Sequence, residues 1–405
     1  MRVAERLLEE RGKGEESAYA PFIRSLPWGA VATPLQYAWE TTQGVQFAHT
    51  RKELHELRFL VDHWYEEHRR KEKADGGAQQ GGEAKGTPNV LLGDFEAAMT
   101  LTHSRTFLAC VEEGAGNSAP WFARVLVPLG DMINHAPEGG GRNAVWSFED
   151  GVEGEGKAMV FRAAREIAAG EEVLADYGHK SCDHLFLYYG FVPSCMPNDS
   201  VPLFEDATEA LEWWLVARGE EGNPQALERA RQLLAWLEGG GHTAAQEAAR
   251  GVEPASSGSR DSTDGLCVHL QGRVDAQLLE AFIALELACG VDGQADSDGD
   301  ALLAVADTMV RRRCAELLRS TPTSLKSDLE LLGVQPRDVN AAAPFGAISE
   351  LPEEACGAAC RGSPAQPTCA ADLSEEAECV TRYNAAKKLV LCAVLVEEKL
   401  APLDA

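Results

Sequence analysis

The sequence lacks any run of about twenty apolar residues, the length that a membrane-spanning helix needs. Basic residues are also scarce, because 37 Lys and Arg stand against 64 Asp and Glu, for a formal charge of -27. Proteins bind phosphate backbones with Lys and Arg, so this balance argues against nucleic acid as a partner and favours a basic peptide. We therefore expect neither a membrane nor a nucleic-acid partner.

Several catalytic and metal-binding signatures are missing as well. The chain has no Gly-rich phosphate loop, no His-Glu-x-x-His segment and no Cys-x-x-Cys pair, so no metal site is expected. Its 11 Cys residues show no regular spacing and predict reduced thiols. The start, MRVAERLLEERG, lacks the hydrophobic core of a secretory signal and is too rich in Glu for a transit peptide. The default location is cytoplasmic or nuclear, with the chloroplast left open if a transit peptide lies upstream.

Apolar spacing predicts helices at both ends of the chain and short strands between them. Near the start it predicts helices over 2–11 and 53–68, and a third that begins with Asp94 as its N-cap and ends near Phe107. The strands are predicted at 125–129, 144–148, 158–161 and 173–175. The later helices are predicted at 208–218, 224–237, 275–289, 301–319, 324–332 and 375–400.

This order of elements predicts an α+β chain of two domains. The first domain covers 1–193, with a helical segment over 1–122 followed by a compact β region over 123–193. The second covers 200–405 and is mostly helical. Low-complexity composition predicts disordered loops within it at 238–265, 292–300 and 340–372.

The most specific signal lies at 164–192. This stretch reads AREIAAGEEVLADYG and continues as HKSCDHLFLYYGFV, and the segment DMINH at 131–135 precedes it. A plain β-hairpin would explain the turn at Ala169-Gly170 and the two glutamates. It would not explain the Asp-Tyr-Gly that ends the second strand or the Tyr-Gly-Phe that follows.

Together these motifs resemble SET-domain protein methyltransferases, and most closely the plant branch that is typified by the Rubisco large-subunit lysine methyltransferase. The resemblance implies a SET β-clip and pseudoknot core with a helical insertion, followed by a helical substrate-binding domain. The pseudoknot would bring Asn134, His135 and Tyr177 to one cleft. The implied activity is the S-adenosylmethionine-dependent methylation of a lysine on a non-histone protein, carried out by a monomer.

The resemblance also implies how the cofactor is held. Asn134 would bond the amino-acid end of S-adenosylmethionine through its side chain, and His135 would bond the adenine through its backbone. Arg105, within HSRTF, would face the cofactor carboxylate, which suits a guanidinium. Phe191 would line the cofactor edge or the lysine channel, although an aromatic core cluster would also explain it.

The remaining implied roles concern the substrate and the transfer. Tyr177 would be the catalytic tyrosine, with its hydroxyl beside the transferring methyl group. Tyr189 would line a narrow channel for the lysine, where desolvation lowers the pKa of the ammonium. Asp131 and Trp146 would complete the substrate site.

Two alternatives remain open. The chain could be a histidine methyltransferase of the same branch, although Gly130 stands where that enzyme carries Trp and Tyr189-Gly190-Phe191 resembles the lysine enzymes. It could also be a non-catalytic protein-binding module. The family's opening β region, with its Gly-x-Gly strand, has no counterpart ahead of the first helices, so the N-terminal part of the SET domain is expected to be missing.

Overall fold

The computed structural model divides the chain into two compact units, Met1–Cys195 and Met196–Ala405. Their boundary falls in the gap between the two predicted domains. No helix among the described residues is long and apolar enough to cross a membrane. The structure describes residues 2–77, 90–112, 121–136, 141–150, 157–178, 180–197, 199–219, 224–225, 228, 232, 266–289, 299–356, 373–397 and 401–402.

The helices of the first unit pack around one apolar cluster. Leu8 of the first helix, Leu57 and Val61 of the fourth, and Phe95 and Met99 of the fifth are buried against one another. These positions recur at three- and four-residue spacing, which places them on one face of each helix. The helices of this unit are α1 (Arg2–Gly12), α2 (Ala20–Ser25), α3 (Trp39–Thr42), α4 (Ala48–Gly77), α5 (Leu92–Arg105) and α6 (Cys182–Tyr189).

The ends of α5 differ from the prediction. The helix begins at Leu92, so Asp94 lies in its first turn and binds Arg11 at 2.9 Å instead of capping the helix. The N-cap position is Leu91, which has no side-chain acceptor to offer. At the other end a strand that the sequence did not predict begins at Thr106, directly after Arg105. The prediction for Asp94 was therefore wrong, whereas the predicted end near Phe107 lies within two residues of the observed one.

The strands of the first unit form two small sheets. One is the antiparallel pair β1–β2. The other has the order β3-β6-β4-β5, in which β6 runs parallel to both β3 and β4 while β4 and β5 are antiparallel. These strands are β1 (Thr106–Glu112), β2 (Trp121–Leu126), β3 (Asn134–His135), β4 (Ala144–Asp150), β5 (Lys157–Ala163) and β6 (Leu174–Ala175).

The second unit contains a small sheet and several helices, and the helices account for most of its described residues. Its sheet has the order β10-β9-β8-β7, with β7 and β8 antiparallel. The strands are β7 (Ser200–Phe204), β8 (Leu266–His269), β9 (Arg273–Val274) and β10 (Ala401–Pro402). The helices are α7 (Ala207–Arg218), α8 (Ala276–Cys289), α9 (Gly299–Ser320), α10 (Leu325–Leu332), α11 (Pro336–Val339), α12 (Glu353–Cys356) and α13 (Glu375–Val396).

Part of the predicted loop at 340–372 is ordered. Asn340 is buried and its amide bonds both the N–H and the carbonyl of Met196, while Phe345 and Leu351 are buried beyond it. These contacts fix the segment as turns that lead into α12, so the prediction of disorder was wrong for 340–356. The predicted loop at 292–300 is also wrong at 299–300, because α9 begins at Gly299. The remaining predicted loop residues, and most of the predicted helix 224–237, lie outside the described residues.

Two buried lysines tie α13 to its surroundings. Lys387 donates to Asp199 at 2.8 Å, and Lys388 donates to Asp328 at 2.6 Å and to the carbonyl of Thr323 at 2.7 Å. Both ion pairs are almost fully buried. Removing one partner of such a pair leaves a buried charge without compensation, which is more costly than the pair itself is favourable.

We expect Lys388→Met to lower the free energy of unfolding by about 3–5 kcal/mol, because Asp328 would remain buried and unpaired. The double variant Lys388→Met, Asp328→Leu should recover most of this loss. Urea unfolding followed by tryptophan fluorescence measures both. Lys326→Met is the control, since Lys326 pairs with Glu330 at the surface, and a loss as large as that of Lys388→Met would contradict the prediction.

A second prediction concerns Gly190, which ends α6 with φ 79. A Cβ at this position would lie 2.3 Å from the carbonyl oxygen of Ala32, so Gly190→Ala adds a backbone clash to conformational strain. We expect a loss of about 3 kcal/mol or more in unfolding free energy. Gly170→Ala has the same positive φ but no atom within 4 Å, and should lose only about 1–2 kcal/mol. Equal losses in urea unfolding would show that the contact with Ala32 is unimportant.

Candidate active site

Tyr177 lies just beyond β6, and two hydrogen bonds fix its position. Its hydroxyl donates to the carbonyl oxygen of Ile133 at 2.7 Å, and its backbone N–H donates to Nδ1 of His135 at 3.2 Å. Both partners belong to the segment that forms β3, whose residues Asn134 and His135 pair in parallel with Leu174 and Ala175. The Asn-His pair and Tyr177 are therefore neighbours, as the sequence predicted.

The environment of Tyr177 keeps its hydroxyl protonated. Burial raises the pKa of Tyr177 to about 12, with a further increase from Tyr189, while Arg105 acts in the opposite direction. The negative charges of Asp131 and Glu172 also raise this pKa, which shows that charged groups of both signs lie within electrostatic reach of the hydroxyl. At neutral pH the group is a hydrogen-bond donor and not a base.

The ring of His135 is nearly inaccessible to solvent, and burial lowers its pKa, although the nearby Asp176 carboxylate opposes this change. Nδ1 accepts the N–H of Tyr177, so the proton of the neutral ring is on Nε2. A neutral ring is needed here because a protonated Nδ1 could not accept that bond. The sequence predicted a role for the backbone of His135 only, whereas its side chain also positions Tyr177.

Aromatic rings surround Tyr177 on the side of α6. Its ring centroid lies 5.3 Å from that of Tyr189 and 5.0 Å from that of His135. Phe191 contacts both His135, at 6.1 Å, and Tyr189, at 6.4 Å. Gly190 ends the helix between the two aromatic residues, so the chain turns and both rings reach the same group. Burial raises the pKa of Tyr189 as well.

Arg105 and Asp131 form an incomplete ion pair. Nη1 of Arg105 donates to the backbone carbonyl of Asp131 at 2.7 Å, whereas the distance to the carboxylate is 3.8 Å, too long for a hydrogen bond. The Asp131 carboxylate is fully buried, and neither of its oxygens has a hydrogen-bond partner among the described residues; the same holds for Nε of Arg105. Burial raises the pKa of Asp131, against the effect of Arg105.

Asn134 is engaged by a residue of the Gly-Glu-Glu-Val motif. Its Nδ2 donates to Oε1 of Glu172 at 2.6 Å. The backbone of that motif is held by Asn143, a fully buried side chain that donates to the carbonyl of Glu172 at 2.8 Å and accepts the N–H of Leu174 at 2.8 Å. Sequence reasoning missed Asn143, because no motif surrounds it and only its burial reveals the role.

Trp146 lies on β4, next to the chain that leads to Tyr177. Its indole N–H donates to the carbonyl of Asp176 at 3.2 Å. Phe107, on the strand that the sequence did not predict, packs edge-on against Trp146 with centroids 5.2 Å apart. Phe107 was not predicted as a site residue, although it ends the same HSRTF segment that contains Arg105.

The structure thus gathers the eight predicted site residues in the first unit, around β3, β6 and the end of α6. Tyr177, His135, Tyr189 and Phe191 are in mutual contact, and Arg105 contacts Asp131. Asn134 bonds Glu172, and Trp146 bonds the backbone carbonyl of Asp176, the residue before Tyr177. No group of three or more His, Cys, Asp or Glu that could hold a metal ion occurs within the described part of the chain.

Comparisons with known proteins show a similarity to one protein family over part of the chain. Residues 30–178, which include six of the eight predicted site residues, match the family model for the SET domain. No curated protein sequence matches the chain significantly. Among solved structures, the SET domain of LSMT bound to MeLysine and AdoHcy has a TM-score of 0.52 at 16% identity, covering 97% of this chain and 73% of that one.

The structure of Rubisco LSMT bound to AdoMet gives a TM-score of 0.50 at 16% identity and covers 97% of this chain and 72% of that chain. At such identity the likeness concerns the fold, which extends over both units and includes the mainly helical second half. The α+β architecture predicted from the sequence is confirmed. Residues 30–178 are thus similar to the SET domain, and the chain has a fold similar to that of the solved Rubisco LSMT structures.

Proposed function

We propose that this chain is an S-adenosylmethionine-dependent protein-lysine N-methyltransferase that acts on a non-histone protein. The observation that carries the proposal is the fixed position of Tyr177. Its hydroxyl is held at Ile133, its backbone at His135, and its ring lies beside Tyr189. Such a group offers a rigid polar atom within an aromatic surface, which suits a reaction that depends on alignment.

The unpaired groups beside Tyr177 fit the amino-acid end of this cofactor. Nε of Arg105 is buried without a hydrogen-bond partner in the described part of the chain, and a guanidinium binds a carboxylate through two parallel hydrogen bonds. Leaving a buried polar group unpaired costs about 1–3 kcal/mol, which a bound ligand would recover. We assign Arg105, Asn134, His135 and Phe191 to cofactor binding.

The bound cofactor supplies an electrophilic methyl group on a sulfonium. The chain's own task is to align an uncharged amine with it and to exclude water. Tyr177 and Tyr189 would form the walls that desolvate the lysine side chain, with Trp146 and the buried Asp131 behind them. The hydroxyl of Tyr177 would act as a fixed dipole, because its pKa of about 12 leaves it protonated.

The substrate is proposed to be a protein with a basic segment around the target lysine. The formal charge of -27 favours such a partner through complementary fields. Lysine is favoured over histidine by the packing at Gly130. A Cβ there would lie 2.8 Å from Cε2 of Phe161, so the Trp of the histidine enzyme would require Phe161 to move.

We expect Tyr177→Phe to lower the rate of methyl transfer by about 100-fold, because it removes the polar oxygen that the bond to Ile133 holds in place beside the proposed reacting centre. The rate is measured as transfer of the radiolabelled methyl group from S-adenosylmethionine to basic protein substrates. Hydrolysis of the labelled protein then separates methyllysine from methylhistidine. Tyr188→Phe is the matched control, because the Tyr188 hydroxyl bonds Glu53 instead. Unchanged turnover in Tyr177→Phe would remove its proposed role, and saturable cofactor binding without transfer to any substrate would favour a binding module.

We further expect Arg105→Lys to weaken S-adenosylhomocysteine binding by about 10-fold or more, since an ammonium cannot reproduce a bidentate guanidinium. Isothermal titration calorimetry measures this. Arg162→Lys serves as control, because Arg162 pairs with Glu149 at the exposed surface of β4 and β5. If the two variants bind the ligand equally well, Arg105 does not contact it.

A further inference from the structure

The hydrogen bond between Asn134 and Glu172 determines how the Asn134 amide is oriented. A carboxylate can only accept hydrogen bonds, so the group that faces Oε1 of Glu172 at 2.6 Å must be the amide nitrogen. The carbonyl Oδ1 of Asn134 is then an acceptor that has no hydrogen-bond partner among the described residues. The second carboxylate oxygen of Glu172 is also an acceptor, and the pair therefore presents two acceptors, one of them charged.

The position of Glu172 is built into the fold. Asn143, which is fully buried, holds the backbone on both sides of it through the carbonyl of Glu172 and the N–H of Leu174. The next residues form β6, which pairs with β3 at Asn134. The Asn134–Glu172 pair is thus fixed from two strands, while both side chains lie at the exposed surface, where a ligand can reach them.

Charged groups of opposite sign contact the segment at 131–134, whose Ile133 carbonyl bonds Tyr177. Arg105 donates to the carbonyl of Asp131, and Glu172 accepts from the amide of Asn134. Nε of Arg105 and the Asp131 carboxylate are buried without a hydrogen-bond partner among the described residues. An amino-acid group has the matching polarity, with a carboxylate and an ammonium on one carbon.

We infer that Glu172 binds the α-ammonium of the cofactor's amino-acid end, together with Oδ1 of Asn134, while Arg105 takes the α-carboxylate. This inference rests on the proposed function. It assigns to Glu172 a ligand contact that the sequence did not predict, and it fixes which end of the amino acid Asn134 recognises. The contact is a charge-assisted hydrogen bond, which is stronger than a neutral one.

The test compares two ligands by isothermal titration calorimetry on the full chain. One is S-adenosylhomocysteine, and the other is the same compound with its α-amino group replaced by hydrogen. Glu172→Gln should weaken binding of the first by about 10-fold, as expected for one charge-assisted hydrogen bond, and leave binding of the second unchanged. Glu166→Gln, an exposed neighbour in the same segment, should change neither.

Each other result overturns the inference in a recognisable way. If Glu172→Gln weakens the binding of both ligands equally, Glu172 has a purely structural role. If it weakens the binding of neither, Glu172 does not contact the cofactor. Wild-type protein that binds neither ligand would refute the proposed function itself. Thermal unfolding checks that Glu172→Gln is folded; if it is not, Glu172→Asp keeps the carboxylate and should still bind the amino ligand more tightly than the deaminated one.

Discussion

The parallel pairing of β3 with β6 is the contact on which the candidate site depends. Each strand has only two residues, so the ladder alone contributes few hydrogen bonds. The segment is held instead by side chains: Asn143 fixes the residues before β6, and Tyr177 bonds Ile133 and His135 after it. Because the tyrosine is part of the clamp, the geometry of the site and the stability of the pairing cannot be separated.

The buried carboxylate of Asp131 differs from the buried charges around α13. In the second unit Lys387 and Lys388 each meet a carboxylate at hydrogen-bond distance. In the first, Asp131 is equally buried, yet its carboxylate stays 3.8 Å from Arg105 and accepts no hydrogen bond among the described residues. The stability of the fold alone would favour a shorter distance between the Asp131 carboxylate and Arg105. A buried carboxylate that has no hydrogen-bond partner among the described residues and lies near Tyr177 is the pattern expected where a ligand completes the site.

The structure brings the predicted site residues together, although their roles stay predictions, and it contains supporting strands that the sequence did not predict. Tyr177, His135 and Asn134 lie in motifs whose combination of residue types is uncommon, so the sequence alone could single them out as candidates. β1 was missed because its apolar run follows α5 without a Gly or Pro to mark the change. β7 was missed because Pro202 interrupts it, at a position where the pairing with β8 becomes irregular.

Other contacts between distant residues could not be predicted from the sequence. Asn143 belongs to no motif, and Phe107 lies in a segment that indicated only Arg105; the roles of both follow from Leu174 and Trp146, which are far along the chain. The polarity of the Asn134 amide likewise depends on Glu172, which is 38 positions away. A pattern of residue types can suggest that an amide contacts a ligand, but it cannot show which end of the amide is free.

Under the proposed function, the proton of the substrate lysine is the remaining constraint. A lysine with its ordinary pKa of about 10.4 is charged at neutral pH and has no lone pair to attack with. Tyr177 offers no base, since its pKa is about 12, and Nδ1 of His135 already accepts a hydrogen bond. The aromatic rings must therefore act through desolvation. Their faces attract a cation, but by only about 0.5–2 kcal/mol, which is less than the cost of removing an ammonium from water. The balance favours the neutral amine, so the walls that define the channel also prepare the nucleophile.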